Sequence, residues 1–333
     1  MDATARIAVV IPCYRVRSHL PAVLAAIGPE VAHVVCVDDA CPEDSGAVAL
    51  ERARVDPRIE LVRHERNQGV GAATRTGYRA ARARGCTIAV KLDGDGQMDP
   101  RLIPALVRPI ARGEADYVKG NRFFELEGLA GMPPVRLVGN AGLSLLTKLS
   151  TGYWSLFDPT NGYTAIHGAV LDHLPLDKLH ARYFFESDLL FRLGTIRAVV
   201  AELPMRARYG DERSSLHVWR ALVSFPFLHA RNLAKRLGYN HLLRNFSVAT
   251  LELATGVALC VFGAAYGGAM WVRSAITGQV ASAGTVMLAG LPVLVGVQLV
   301  LSFLGFDIAS EPRVPLHPRL EPEPAGQGSV DLA

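Results

Sequence analysis

The sequence predicts an α/β domain built on a mainly parallel sheet with flanking helices, followed by two transmembrane helices near the C-terminus. Three observations predict it. Short, uniformly apolar, β-branched runs alternate with helical stretches through the first half of the chain, the pattern of βαβ units whose strands are buried on both faces. Carboxylates cluster just after those runs, where open α/β sheets place their functional groups. Two long apolar segments without a central charge then follow, each able to span about 30 Å of hydrocarbon.

The elements follow in order. Ile7–Ile11 reads as the first strand, and no signal peptide is expected ahead of a core pattern that begins so early. Helix His19–Ile27 leads to strand Val31–Val37, helix Gly46–Ala53 to strand Ile59–Val62, helix Val70–Arg84 to strand Ile88–Leu92, and helix Pro100–Arg112 to strand Tyr117–Gly120. From Phe123 to about Ala181 the pattern loosens around Gly128, Gly131, Pro133 and Pro134, with one helix near Leu137–Leu149. Phe184–Leu193 is a helical stretch with acidic residues, and Arg206–Leu216 a charged loop. Residues 1–222 are expected to form one cytosolic domain.

Residues 223–245 read as a basic amphipathic helix, with Arg231, Lys235, Arg236 and Arg244 set among Phe225, Phe227, Leu228, Leu233 and Leu237. Such a helix suits an anionic headgroup layer. The two spans, Phe246–Trp271 and Thr285–Phe306, fill 246–306. Gly256, Gly263, Gly267 and Gly268 in the first favour close helix packing and permit self-association into a homo-oligomer. Basic residues precede the first span, and the linker offers only Arg273, so the domain and the tail are expected on the cytoplasmic face of a bacterial inner membrane. The tail, 307–333, is rich in Pro and Glu and is expected to be disordered.

Composition narrows the partners. Hydrophobic residues make up 50% of the chain, and the mean hydropathy is +0.22, the excess lying in the two spans. A net charge of +4 gives no argument for a nucleic-acid partner. The cysteines (Cys13, Cys36, Cys41, Cys86 and Cys260) form no CxxC pair and read as reduced thiols, not a disulfide framework or zinc site.

The chemistry concentrates in Lys91-Leu-Asp93-Gly94-Asp95-Gly-Gln97. Two carboxylates one residue apart at a strand end suit a hard divalent cation, Mg²⁺ or Mn²⁺, that also holds a diphosphate. Asp38-Asp39 ends an earlier strand, and Pro12-Cys-Tyr14 ends the first. A carboxylate there can bond a base or ribose, and Tyr14 can stack on a ring. Asn67-Gln-Gly69-Val-Gly71 opens a helix whose backbone N–H groups favour an anion, but it is neither a Walker motif nor a full G-x-G-x-x-G.

The ordered set Pro12/Tyr14, Asp38-Asp39, Asn67-x-Gly69-x-Gly71, Asp93-Gly-Asp95-Gly-Gln97, Asn121-Arg122 and Asp158-Pro-Thr-Asn-Gly162-Tyr resembles family 2 glycosyltransferases. The resemblance covers about residues 5–220 and is greatest to polyprenyl-phosphate sugar synthases of the dolichyl-phosphate mannose synthase kind. It implies a GT-A fold, a nucleotide-sugar donor, a divalent metal, a polyprenyl-phosphate acceptor at the membrane and inversion at the anomeric carbon. Carried onto this sequence, it implies that Pro12, Tyr14 and Asp39 line the base and ribose pocket, with Asn67 and Gly94 also on the donor side. Asp93 contacts the nucleotide and joins Asp95 and Gln97 at the metal. Arg122, Arg136 and Arg213 serve the donor diphosphate and lipid phosphate, and Asp158 with Glu186 and Asp188 serve the acceptor or act as base. Where the family often has Asn-Glu after the tyrosine, this chain has Arg15-Val16, which leaves uridine and guanosine donors both open. Two other readings share the fold: a transferase that extends a lipid-linked glycan, and an inactive membrane scaffold, against which the intact Asp93/Asp95/Gln97 set argues.

Overall fold

The computed structural model describes residues 5–124, 134–205 and 218–320. The chain forms two compact units, one of Met1–Asn232 with Pro312–Ala333 and the other of Leu233–Glu311. The first unit holds a sheet of strands β1 (Ile7–Cys13), β2 (Val31–Asp38), β3 (Ile59–Arg63), β4 (Ile88–Lys91), β5 (Tyr117–Asn121), β6 (Thr164–His167) and β7 (Val200–Pro204). Their spatial order is β3-β2-β1-β4-β6-β5-β7. Among the described residues β6 alone runs against its neighbours, pairing antiparallel with both β4 and β5. The other pairings are parallel. The carboxyl ends of β1, β2, β4 and β5 therefore open on one edge.

The period-two alternation of a strand explains the core. In β1, Ile7, Val9 and Ile11 enter one apolar cluster with Leu20, Val23, Ile103 and Leu106. Ala8 and Val10 enter the opposite cluster with Tyr78, Ala81, Leu189 and Leu193. Both faces are covered, which is why the strand reads as an unbroken apolar run.

The five expected strands and the flanking helices all form, and β6 and β7 are additions. The helices are α1 (Leu20–Ala25), α2 (Ser45–Ala53), α3 (Val70–Ala83), α4 (Ile103–Ala111), α5 (Pro134–Thr151), α6 (Gly168–Asp172), α7 (Phe185–Ile196) and α8 (Val218–Arg236). The stretch expected as one helix over 223–245 divides: α8 ends at Arg236 and a π-helical turn occupies Leu237–Arg244.

One expectation is corrected. Disorder was expected from residue 307 onward, yet the chain is structured through Leu320, including a short helix at His317–Leu320. The reason is a buried partner in the first unit. The Asp116 carboxylate accepts bonds from Leu316 N at 2.9 Å, His317 N at 2.9 Å and His317 Nδ1 at 2.8 Å, and the His317 ring stacks on His167 at 4.2 Å. Residues 321–333 lie outside the described residues.

In the second unit, helices α9 (Val248–Thr277) and α10 (Ala283–Ala309) are both long and apolar enough to cross a membrane. They pack through glycine. A Cβ on Gly256 would stand 2.8 Å from the Gly296 carbonyl, and one on Gly296 would stand 2.7 Å from the Gly256 carbonyl, so any side chain there would separate the pair. Their outer faces are apolar, with Val261, Trp271, Leu294 and Leu301 all more than half exposed, a surface suited to hydrocarbon. At the end of α10, Asp307 takes a bidentate ion pair from Arg236, at 2.8 and 2.9 Å, and lies 3.3 Å from His241 Nε2.

Candidate active site

The site assembles where β1, β2, β4 and β5 end. At β2, Asp38 accepts from Cys41 N at 2.8 Å and caps the turn into α2. Asp39 is 2% exposed and accepts from Gln68 N at 2.8 Å, Gly69 N at 2.7 Å and His64 Nδ1 at 2.7 Å. Asn67 Nδ2 donates to the Asp39 carbonyl. These bonds give Asp39 a definite role inside the protein: it pins the end of β2 to the turn that opens α3. Of roughly four lone-pair positions on a carboxylate, three are engaged. Pro12 lies in β1 opposite Val37, and Tyr14 is exposed just beyond it, with the Arg15 guanidinium 5.5 Å from its ring centre.

At β4, the apolar run ends on a lysine. Lys91 is 2% exposed, and its Nζ lies 2.7 Å from Asp93 Oδ1 and 3.7 Å from Glu186 Oε1. Burial disfavours the ammonium, but Asp93 and Glu186 outweigh it and hold its pKa above the ordinary lysine value. Glu186, in the first turn of α7, is raised by burial even though Lys91 and Lys119 oppose the shift. Asp93, Gly94, Asp95 and Gln97 form the turn after β4. Gly94 is buried against Val16 and Ile11, Asp95 Oδ1 accepts from Gln97 N at 3.0 Å, and Asp93, Asp95 and Gln97 all keep partly exposed side chains.

At β5, Lys119 is wholly buried and donates to the Asn161 carbonyl. Burial pulls its pKa down to about 8, against the pull of Glu186 and Asp158. Just past β5, Arg122 grips the buried Asp158 through Nε at 2.8 Å and Nη2 at 3.0 Å, and its backbone N–H adds a bond at 3.1 Å. Burial raises the Asp158 carboxyl, but Arg122 outweighs it and leaves the group below the usual carboxylate range. Glu202 of β7 fixes this loop by accepting from Phe157 N and Asp158 N, each at 2.9 Å. Gly162 closes the cluster. A Cβ there would lie 2.3 Å from Lys91 Nζ, 2.9 Å from Glu186 Oε1 and 3.0 Å from Asp93 Oδ2, so the backbone can approach all three only as glycine.

The structure thus gathers Asp93, Glu186, Asp158 and Arg122 around two lysines to which the sequence reading gave no role. The signal was present in each case: a lysine inside or closing an otherwise apolar strand must find a buried partner. Asp188 does not join the cluster. Residues two apart on a helix point to different faces, and Asp188 instead accepts from His180 N at 2.9 Å, Arg192 Nη2 at 2.9 Å and Asn232 Nδ2 at 3.3 Å. Arg136 lies in the first turns of α5, and Arg213 falls outside the described residues.

A mostly parallel sheet with flanking helices, and acidic turns at its carboxyl edge, form the architecture of the GT-A fold. The structure superposes on glucosyl-3-phosphoglycerate synthase from Mycobacterium tuberculosis, solved with Mn²⁺, uridine diphosphate and phosphoglyceric acid. The TM-score is 0.54 at 20% identity, covering 71% of this chain and 80% of that one. The profile of the family described as Glycosyl transferase family 2 matches residues 8–174, and the chain belongs to that family. Among curated proteins it is 32% identical over 181 residues to the UDP-N-acetylglucosamine–dolichyl-phosphate N-acetylglucosaminyltransferase of Methanococcus voltae, covering 54% of this chain and 71% of that protein. It is 30% identical over 203 residues to the undecaprenyl-phosphate mannosyltransferase of Micrococcus luteus, covering 60% and 82% respectively. It is also 30% identical over 207 residues to the polyprenol monophosphomannose synthase of Mycolicibacterium smegmatis, covering 61% and 77%.

Proposed function

We infer that this chain transfers a sugar from a UDP- or GDP-linked donor to a polyprenyl phosphate at the cytoplasmic face of the membrane, with inversion, for cell-envelope glycan synthesis. The observation that carries the reading is the partly exposed Asp93/Asp95/Gln97 turn set beside three cations, Lys91, Lys119 and Arg122. That arrangement suits a polyanionic donor and a phosphate acceptor. The names of the curated relatives support the lipid-phosphate acceptor.

The oxygen-only donor set of Asp93, Asp95 and Gln97 fits Mg²⁺ or Mn²⁺. Among the described residues no group of three or more His, Cys, Asp or Glu converges as a complete metal cage; Asp93, Asp95 and Gln97 would hold the ion. When bound, it offsets charge on the departing nucleoside diphosphate. Arg122, fixed by Asp158, presents a guanidinium at the same edge and adds to that stabilisation. A phosphate acceptor is already ionised near neutral pH and attacks the anomeric carbon as the bond to the donor diphosphate breaks. No general base is required.

Glu186 favours a second reading. Burial raises its carboxyl, which strengthens it as a base, and a sugar hydroxyl on a lipid-linked glycan would need one. Connectivity and charge support the cytoplasmic orientation. The chain leaves the first unit before α9 and re-enters it at Pro312, so an even number of crossings returns it to the same face. The basic residues Arg231, Lys235 and Arg244 precede α9.

Nucleotide release from a panel of UDP- and GDP-sugars, measured on purified protein with undecaprenyl phosphate and Mn²⁺, tests the reading. Turnover is expected only with both metal and lipid phosphate, and Asp95→Ala and EDTA should each abolish it. Turnover with a lipid-linked glycan but none with the lipid phosphate would select the second reading.

A further inference from the structure

Lys91 sits where the donor-side and acceptor-side carboxylates meet. Its Nζ is within hydrogen-bond distance of Asp93 Oδ1, at 2.7 Å, but holds Glu186 Oε1 only as a looser ion pair, at 3.7 Å. The ammonium ends a flexible stem of four methylene groups, with the Phe185 ring 5.4 Å away. Gly162 packs its backbone against this trio, since a Cβ there would meet Lys91 Nζ, Glu186 Oε1 and Asp93 Oδ2 together. Both carboxylates thus lie within reach of one buried ammonium.

We propose that Lys91 is a built-in counter-cation that occupies Asp93 until a divalent ion displaces it onto Glu186. This rests on the reading of Asp93 and Asp95 as the edge of a metal-diphosphate site. It extends that reading by assigning Lys91 and Glu186 a shared positioning role that neither motif nor fold assigns. The physical argument is charge competition. A dication needs the lone pair that Lys91 now engages, and it must also approach a fixed positive charge one hydrogen bond away. Both effects weaken metal binding to the free protein. A donor diphosphate, bringing its own negative charge, reverses the balance, so metal and donor bind together and metal binds poorly alone. Glu186 stabilises the displaced arrangement because it keeps the ammonium paired; a buried, unpaired lysine would be far costlier.

The test reads Mn²⁺ binding directly, by the loss of the free-ion electron paramagnetic resonance signal, on the full-length chain in detergent without nucleotide. Lys91→Met should bind Mn²⁺ about tenfold more tightly than wild type, because the competing charge is gone, whereas Lys91→Arg should stay near wild type. Glu186→Gln should bind more weakly, because the ammonium then has only Asp93 to pair with, and this variant carries the test should Lys91→Met fail to fold. A folded Lys91→Met protein with unchanged or weaker binding overturns the proposal, as does unchanged binding in Glu186→Gln. If wild type binds no Mn²⁺ even with UDP or GDP present, the metal-site reading falls and the proposal with it. If wild type binds Mn²⁺ with nucleotide in an Asp95-dependent way but Lys91→Met is unaltered, only the role of Lys91 falls.

Discussion

At the amino-terminal end of β5, Asp116 is completely buried, and its carboxylate accepts from fixed donors: Val199 N at 2.8 Å, Leu316 N, His317 N and the His317 ring. At the carboxyl edge of the neighbouring strands, Asp93 is 30% exposed and Glu186 18% exposed, and both lean on one buried lysine. The two clusters contain the same chemical group in the same sheet, and their surroundings separate their uses. Burial raises the Asp116 carboxyl, but His317 and the backbone donors outweigh it and hold the group below the usual range. Glu186 remains above it. A carboxylate saturated by main-chain N–H groups is a fastening. One held by a side-chain cation and left partly open is available to a ligand.

The comparison breaks first at Asp116. Asp116→Ala leaves the donors of Val199, Leu316 and His317 without their acceptor and should lower stability by about 4 kcal/mol, read as a large drop in melting temperature. Activity per folded molecule should stay within a few-fold of wild type. An equal loss of activity would show that the two ends of the sheet are coupled.

Acid should act on the same fastening. Burial lowers the His167 pKa from 6.5 to about 4, so the folded state holds the ring neutral while the unfolded chain binds a proton. The stability contribution is complete above pH 6.5 and is lost as pH falls through 4. The depressed Asp116 pKa acts in the same direction. His167 alone should account for about 3 kcal/mol between those limits, and His167→Asn, which keeps the helix-capping acceptor, should flatten the melting temperature over that window.

The active-site side sharpens with Gly162→Ala. Its methyl group would press on Lys91, Glu186 and Asp93 at once, and overpacking of this kind costs about 2 kcal/mol. The prediction is a ten- to hundred-fold loss of transfer with a drop in melting temperature about half that of Asp116→Ala, whereas Asp116→Ala spares activity. The smallest effect belongs to the exposed pair of Arg79 and Asp177. Asp177→Asn should leave the midpoint of a denaturant titration unchanged.

The parallel half of the sheet was legible because its strands, buried on both faces, write themselves as β-branched apolar runs. Strand β6 was not, since Thr164–His167 is only four residues long and ends in a histidine. Nor was β7, whose Val200–Pro204 carries Glu202 and ends in proline. The acidic turn at Asp93–Gln97 could be found because its residues are adjacent. The roles of Lys91 and Lys119 could not, because a buried lysine declares its function only through partners distant in the chain, Glu186 for one and the Asn161 carbonyl for the other. Glu186 and Asp188 were paired by the family resemblance, and the turn of the helix divides them. In the tail, composition could not anticipate that one buried carboxylate would order Leu316 and His317.

That last contact changes how the hydrophobic hairpin should be regarded. It is an insertion within the catalytic unit, not an appendage at its end, because the chain closes back on Asp116 after the second helix. A soluble version obtained by stopping after Asn232 would discard part of its own fold. Splicing residue 232 to residue 312 through a flexible linker keeps the fastening, and that spliced protein should express as the better-folded catalytic fragment.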